Sequence, residues 1–169
     1  MLSTNSLYIL DIVEDTIVDG PGFRTSIYAS GCIHECPGCH NEESWDIHNG
    51  SLMTLAEIVE VIKRNPFANV TFTGGDPFCQ VREFTSLAKE IKQKYDKTIW
   101  CYTGFRFEKI VKNKELSELL PWIDVLVDGR FIEARRELNL KFRGSSNQRI
   151  INVPQSLLEN KIVLWESRI

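Results

Sequence analysis

The chain has 169 residues, a length that fits one domain and is sufficient to bury a hydrophobic core without disulfides. Its 20 Lys and Arg residues against 23 Asp and Glu residues give a formal net charge of −3, which offers no general attraction for nucleic acid or an anionic membrane surface. We therefore expect a single domain over residues 1–169, with neither nucleic acid nor a membrane as its partner.

The amino-terminal region argues against export. Its first twenty residues carry four acidic side chains and no Lys or Arg, the reverse of the basic start of a secretory signal peptide. No run in the sequence reaches the ~20 apolar residues that a transmembrane helix needs. We expect a cytoplasmic protein, and in that reducing compartment we expect its five cysteines to be free or metal-bound thiols.

Short apolar runs alternate with helical patterns along the chain. Thr54 with Glu57 forms a capping box that predicts the start of an amphipathic helix, and Asn65-Pro66 ends its pattern. In chain order, the predicted elements are a strand over 23–30, the helix that starts at Thr54, a strand over 69–73, a helix over 84–95, a strand over 98–102, a short helix over 116–120 ended by Pro121, and strands over 123–127 and 161–165.

The three middle strands are apolar on both faces, which is typical of parallel strands covered by helices. Each leads into a glycine turn, and the strand over 23–30 delivers the first cysteine to the same edge of the sheet, where parallel folds bind ligands. A closed barrel of eight strand–helix units needs a longer chain. We predict an α/β fold that forms an open or partial (β/α) barrel, with a mostly parallel sheet and helices outside.

Three cysteines, Cys32, Cys36 and Cys39, are packed into eight residues after the first strand. Thiolates are soft ligands that suit iron-sulfur clusters and zinc. Structural zinc normally takes four protein ligands, whereas three cysteines on a four-iron cluster leave one iron open for a small molecule. Spacing alone leaves both interpretations open, and a zinc knot would need a fourth ligand from His34, His40, His48, Cys79 or Cys101. Cys79 and Cys101 are interpreted as ordinary buried thiols.

The CxxxCxxC loop followed by a glycine-rich strand end resembles the radical S-adenosylmethionine enzymes. The segment 18–24 together with the loop resembles the activating enzymes of glycyl radical enzymes within that family. Further motifs, at 73–77, Trp100 with 102–105, 124–129 and 142–148, resemble the group that activates the anaerobic ribonucleoside-triphosphate reductase. The resemblance implies a [4Fe-4S] cluster on Cys32, Cys36 and Cys39, with S-adenosylmethionine chelating the fourth iron. It further implies that Gly38, Cys39 and His40 face the adenosyl group, and that Gly74, Gly75 and Asp76 receive the methionine amino group.

The resemblance also implies a reaction and its partners. An electron from a reduced flavodoxin-like donor would cleave S-adenosylmethionine, and the resulting 5′-deoxyadenosyl radical would take a hydrogen atom from a glycine near the carboxyl terminus of the reductase. The cofactors supply this chemistry, so no acid-base residue is assigned. Two alternatives remain: an activase of another glycyl radical enzyme such as pyruvate formate-lyase, or a non-catalytic zinc-stabilised adaptor.

Overall fold

A seven-stranded open sheet, in the order β3-β1-β2-β4-β5-β6-β7, organises the computed structural model, which describes residues 6–167. The strands are β1 (Ser6–Thr16), β2 (Arg24–Ala29), β3 (Ser51–Thr54), β4 (Asn69–Gly74), β5 (Ile99–Tyr102), β6 (Val125–Asp128) and β7 (Arg149–Asn152). The α-helices are α1 (Leu55–Lys63), α2 (Val81–Lys94), α3 (Phe107–Lys112) and α4 (Val153–Glu159). None of the helices described in residues 6–167 is long and apolar enough to span a bilayer.

The prediction of an open α/β fold is confirmed, but the prediction of a mostly parallel sheet is wrong. Strands β2, β4, β5 and β6 are parallel to one another, as predicted. The pairings of β1 with β2, β1 with β3 and β6 with β7 are antiparallel. The sheet is therefore mixed, because three strands outside the predicted set extend it at both ends.

Local signals place the central elements well. The Thr54 hydroxyl accepts a hydrogen bond from the Glu57 amide at 3.2 Å, and the Glu57 carboxylate accepts one from the Thr54 amide at 2.7 Å, so the capping box starts α1.

The predicted helix over 116–120 is instead two short 3₁₀ helices, Leu116–Glu118 and Leu120–Trp122, with Pro121 inside the second. The predicted strand over 161–165 forms only a single bridge, between Leu164 and Ile151.

The two faces of the sheet have different coverings. Ile27, Phe72 and Leu126 point to one face and pack against residues of all four α-helices in the main hydrophobic core. Trp100, Val125 and Val127 point to the other face, where Phe142 and Trp165 pack against them. The middle strands are thus buried on both sides, but helices cover only one side. Polar residues of the second side lie towards the carboxyl-terminal edge of the parallel strands.

Candidate functional site

Four glycine turns meet at the carboxyl-terminal edge of the parallel strands, which sequence patterns predict as the ligand-binding edge. The turn after β4 is joined to the end of β2, because the Gly75 amide donates to Ala29 O and the Asp76 amide donates to Gly31 O, both at 2.8 Å. A Cβ at Gly75 would collide with the Gly31 carbonyl oxygen, so only glycine permits this approach of the two backbones. The cysteine loop leaves the sheet from Gly31, directly beside this contact.

A cavity of about 450 Å³ opens at this edge, which is within the range of small-molecule sites. Of the residues predicted for the site, Cys32, Cys36, Cys39, His40, Gly74 and Gly75 line the cavity. Gly38 and Asp76 do not line it. The cavity wall also includes Asp19, Tyr28, His34, Asn41, Ser44, Thr73, Tyr102, Thr103, Gly104, Gly129, Phe131, Gly144 and Gln148.

The cysteine loop is held in a tight turn. The Cys39 amide donates to Cys36 O at 3.0 Å, and the Asn41 amide donates to Cys39 Sγ at 3.4 Å. Gly38 has a positive φ of 74°, and a Cβ there would lie 2.8 Å from Glu133 Cδ. Glycine at this position therefore permits both the turn and the close packing of Glu133. Burial raises the pKa of the Cys32 thiol to about 11, so its thiolate needs a compensating cation.

The donors around the cavity fit an iron-sulfur cluster. Of the five residues considered as a fourth zinc ligand, only His34 and His40 line the cavity, and His34 Nε2 is already 2.7 Å from Asp76 Oδ2. Cys101 is fully buried in the core. Across residues 6–167, no three His, Cys, Asp or Glu side chains are grouped as a site for a single metal ion. Three thiols around one cavity suit a [4Fe-4S] cluster with one iron free for another ligand.

Asp76, which the resemblance places with Gly74 and Gly75 at the methionine amino group, has a carboxylate held by several buried contacts. Its carboxylate is fully buried, and Oδ2 accepts hydrogen bonds from Thr103 Oγ1 at 2.8 Å and the Gly104 amide at 2.9 Å, besides its contact with His34. Oδ1 accepts from the Phe78 amide at 2.9 Å. Asp76 therefore ties the cysteine loop to the turns after β4 and β5.

Several residues of the cavity wall were not predicted from the sequence. Asp19 Oδ2 accepts hydrogen bonds from Tyr28 OH at 3.1 Å and Ser26 Oγ at 3.0 Å, and burial with the nearby Asp19 charge raises the pKa of Tyr28 to about 12. Asp19 is the one carboxylate in the described cavity wall. Arg24 does not line the cavity; it donates to Thr71 Oγ1 at 2.7 Å and to Pro21 O at 3.2 Å, so it fixes the segment before β2 against β4.

The polar segment 143–148 forms one side of the cavity through Gly144 and Gln148. Gln148 Oε1 accepts from the amides of Gly144 at 2.8 Å and Ser145 at 3.1 Å, while Gln148 Nε2 donates to Gly129 O at 3.0 Å. The guanidinium of Arg143 donates to carbonyl groups of its own segment. Gln148, rather than Arg143, therefore joins this segment to the turn after β6.

Comparisons with known proteins show which family this chain is related to. The model of the 4Fe-4S single cluster domain family matches residues 18–151. The anaerobic ribonucleoside-triphosphate reductase-activating protein of Enterobacteria phage T4 is 37% identical over 139 residues, which cover 79% of this chain and 86% of that protein. The proteins of the same name from Vibrio cholerae and Escherichia coli K12 are each 35% identical, over 78% of this chain and 89% and 90% of their own lengths.

Proposed function

Because this chain belongs to the family of anaerobic ribonucleoside-triphosphate reductase-activating proteins, we propose that it is the enzyme that installs a glycyl radical on such a reductase, using a [4Fe-4S] cluster and S-adenosylmethionine. One observation carries the proposal. Three cysteines of a single loop line the same cavity as the glycine turn after β4. That arrangement offers three thiolates to a cluster and exposed backbone to a ligand beside it.

Each part of the chain has a distinct task in this proposal. Cys32, Cys36 and Cys39 would hold three irons, and the turn at Gly74 and Gly75 would present its backbone to the methionine amino group. When bound and reduced by an external one-electron donor, the cluster would supply the one-electron chemistry that cleaves S-adenosylmethionine and leads to loss of a hydrogen atom from a glycine of the reductase. The segment from Gly38 to His40 would present its backbone to the adenosyl group, with Cys39 and His40 lining the cavity and Gly38 permitting the turn.

The domain and the sheet that carry the site are part of the same proposal. We assign residues 1–169 to one radical S-adenosylmethionine domain and interpret the open sheet as a partial barrel of that type. The supporting observation is that four parallel strands bring their carboxyl ends and glycine turns to one edge. The cytoplasmic location and the flavodoxin-like electron donor expected from the sequence remain predictions.

Glycyl radical formation tests the choice of partner. The reconstituted protein, S-adenosylmethionine and dithionite are incubated without oxygen, either with the anaerobic reductase or with pyruvate formate-lyase, and the radical is measured by electron paramagnetic resonance. We expect the radical in the reductase, with a yield at least about tenfold above that in pyruvate formate-lyase. A radical confined to pyruvate formate-lyase would favour the alternative activase. A colourless, zinc-loaded protein that forms no radical in either would favour the adaptor.

A further inference from the structure

A second cavity, of about 600 Å³, adjoins the cysteine loop, and we call it the basic groove. Four cationic side chains line it: Arg106, Lys109, Arg130 and Arg135. The other described lining residues are Ile33, His34, Gly104, Phe105, Gly129, Ile132 and Asn147, so the wall contains no carboxylate. This concentration of positive charge contrasts with the net charge of −3 of the whole chain.

The positive charge of the groove is largely uncompensated. The nearest pairing is Arg106 Nε with Glu108 Oε2 at 3.9 Å, but both oxygens of Glu108 are already held by Arg149 at 2.8 and 2.9 Å. Within the described part of the chain, Lys109, Arg130 and Arg135 have no carboxylate within 4 Å. Exposed charges of one sign around a concave surface attract an oppositely charged partner over about a Debye length.

The groove is directly connected to the cysteine loop. His34, Gly104 and Gly129 line both the basic groove and the cysteine cavity. Arg130 Nη2 donates to the His34 carbonyl at 2.6 Å, which joins the groove wall to the loop. A partner seated in the groove would therefore contact the loop that carries the cysteines while leaving the cysteine cavity accessible.

The groove also has apolar residues suited to a protein partner. Ile33, on the cysteine loop itself, is 70% exposed, and Ile132 across the groove is 41% exposed. A site for a free phosphate needs only cations and amides, whereas a protein interface combines apolar contacts with a charged rim. Exposed isoleucines among four cations thus favour a protein with an acidic surface.

We propose that the basic groove docks a small acidic one-electron carrier protein, which reduces the cluster through the cysteine loop. This inference rests on the proposed function. The carrier loses one electron and the cluster gains it, so no proton or atom is transferred at this step. The reductase glycine needs the cysteine cavity, and the separate groove lets the carrier dock without occupying that cavity.

The test reverses two charges of the groove. Lys109→Glu with Arg135→Glu changes two exposed side chains of the groove, and Lys89→Glu with Lys114→Glu is a control with the same charge change at exposed residues outside the groove. The probe is a reduced bacterial flavodoxin, whose binding to the reconstituted protein is measured by fluorescence anisotropy at low and high salt. We expect the groove variant to bind at least about tenfold more weakly at low salt, and the control to bind like the wild type.

Formation of 5′-deoxyadenosine provides the second readout, with either flavodoxin or dithionite as reductant. We expect the groove variant to lose the flavodoxin-driven reaction and to keep the dithionite-driven one, because dithionite needs no docking surface. Unchanged flavodoxin affinity in the groove variant would overturn the proposal. Loss of the dithionite-driven reaction, or loss only of radical transfer to the reductase, would also overturn it. If the wild type binds flavodoxin through the groove but never cleaves S-adenosylmethionine, the proposed function fails and the docking site stands.

Discussion

Replacing Cys36 with alanine should abolish cluster binding and 5′-deoxyadenosine formation. Cys36 is the most buried of the three loop cysteines, with 8% of its surface exposed. Like Cys32 and Cys39, which flank it in sequence, it lines the cavity. Two thiols cannot replace three in a cluster whose fourth iron must stay open for a ligand. Mutation of residues that merely support metal ligands lowers metal affinity or activity by about 10–100-fold, so removal of a ligand should lower 5′-deoxyadenosine formation by more than about 100-fold.

Cys101→Ala is the matched control for this change. Cys101 undergoes the same replacement of a thiol by hydrogen, but its side chain is fully buried in the hydrophobic core and does not line the cavity. We expect this variant to keep its iron and sulfide and to lose about 1 kcal/mol of stability through a small packing defect. Iron, sulfide and 5′-deoxyadenosine are measured for each protein. Equal iron content in Cys36→Ala and Cys101→Ala would contradict the assignment of the cluster to this loop.

Replacing Asp76 with asparagine should loosen the cysteine loop although Asp76 does not line the cavity. Asp76 Oδ2 is contacted by His34, Thr103 and the Gly104 amide, and Oδ1 accepts from the Phe78 amide. An asparagine has only one acceptor oxygen, so its NH₂ group must face at least one of these buried donors. We expect the free energy of unfolding to fall by about 3 kcal/mol and iron loading to fall with it.

A double-mutant cycle locates the effect in the contact between Asp76 and the loop. We expect Asp76→Asn and His34→Gln to be non-additive, with a coupling free energy of about 1–3 kcal/mol in urea unfolding. Asp124→Asn is the control. Asp124 also has a carboxylate that accepts a hydrogen bond from a backbone amide, that of Ile99 at 2.7 Å. It directly precedes β6 and so lies at the opposite end of that strand from the site. Iron loading that falls as much in Asp124→Asn as in Asp76→Asn would show a general loss of stability instead.

The central part of the fold was predictable because its signals are local. The capping box of Thr54 and Glu57 and the short runs of β-branched and aromatic residues in β4 and β5 each lie within a few neighbouring residues. Strand β1 was missed because most of its second half is exposed and its pairing with β2 is irregular at two places. Strand β7 was missed because it is half-buried and depends on its register with β6, about 25 residues earlier in the chain.

The site, too, was predictable only where its signals come from neighbouring residues. The family resemblance, confirmed by the comparisons, rests on the cysteine spacing and the glycine turns, which are readable over a few residues. The contacts of Asp76 with His34 and Thr103 span 42 and 27 residues, and nothing in the local sequence indicates them. Tyr28 and Tyr102 could have been noted as polar aromatic residues near the ends of predicted strands, but only the assembled sheet brings them to the same cavity.

Transfer of deuterium from the reductase into 5′-deoxyadenosine tests whether the radical takes its hydrogen atom from a glycine of the reductase. The reductase is produced with glycine deuterated at Cα and incubated without oxygen with the reconstituted protein, S-adenosylmethionine and dithionite, and the 5′-deoxyadenosine is analysed by mass spectrometry. We expect deuterium in the product, because the radical takes its hydrogen from a glycine of the reductase. Product that forms in the presence of the deuterated reductase but contains no deuterium, while the reductase gains no glycyl radical, would contradict it.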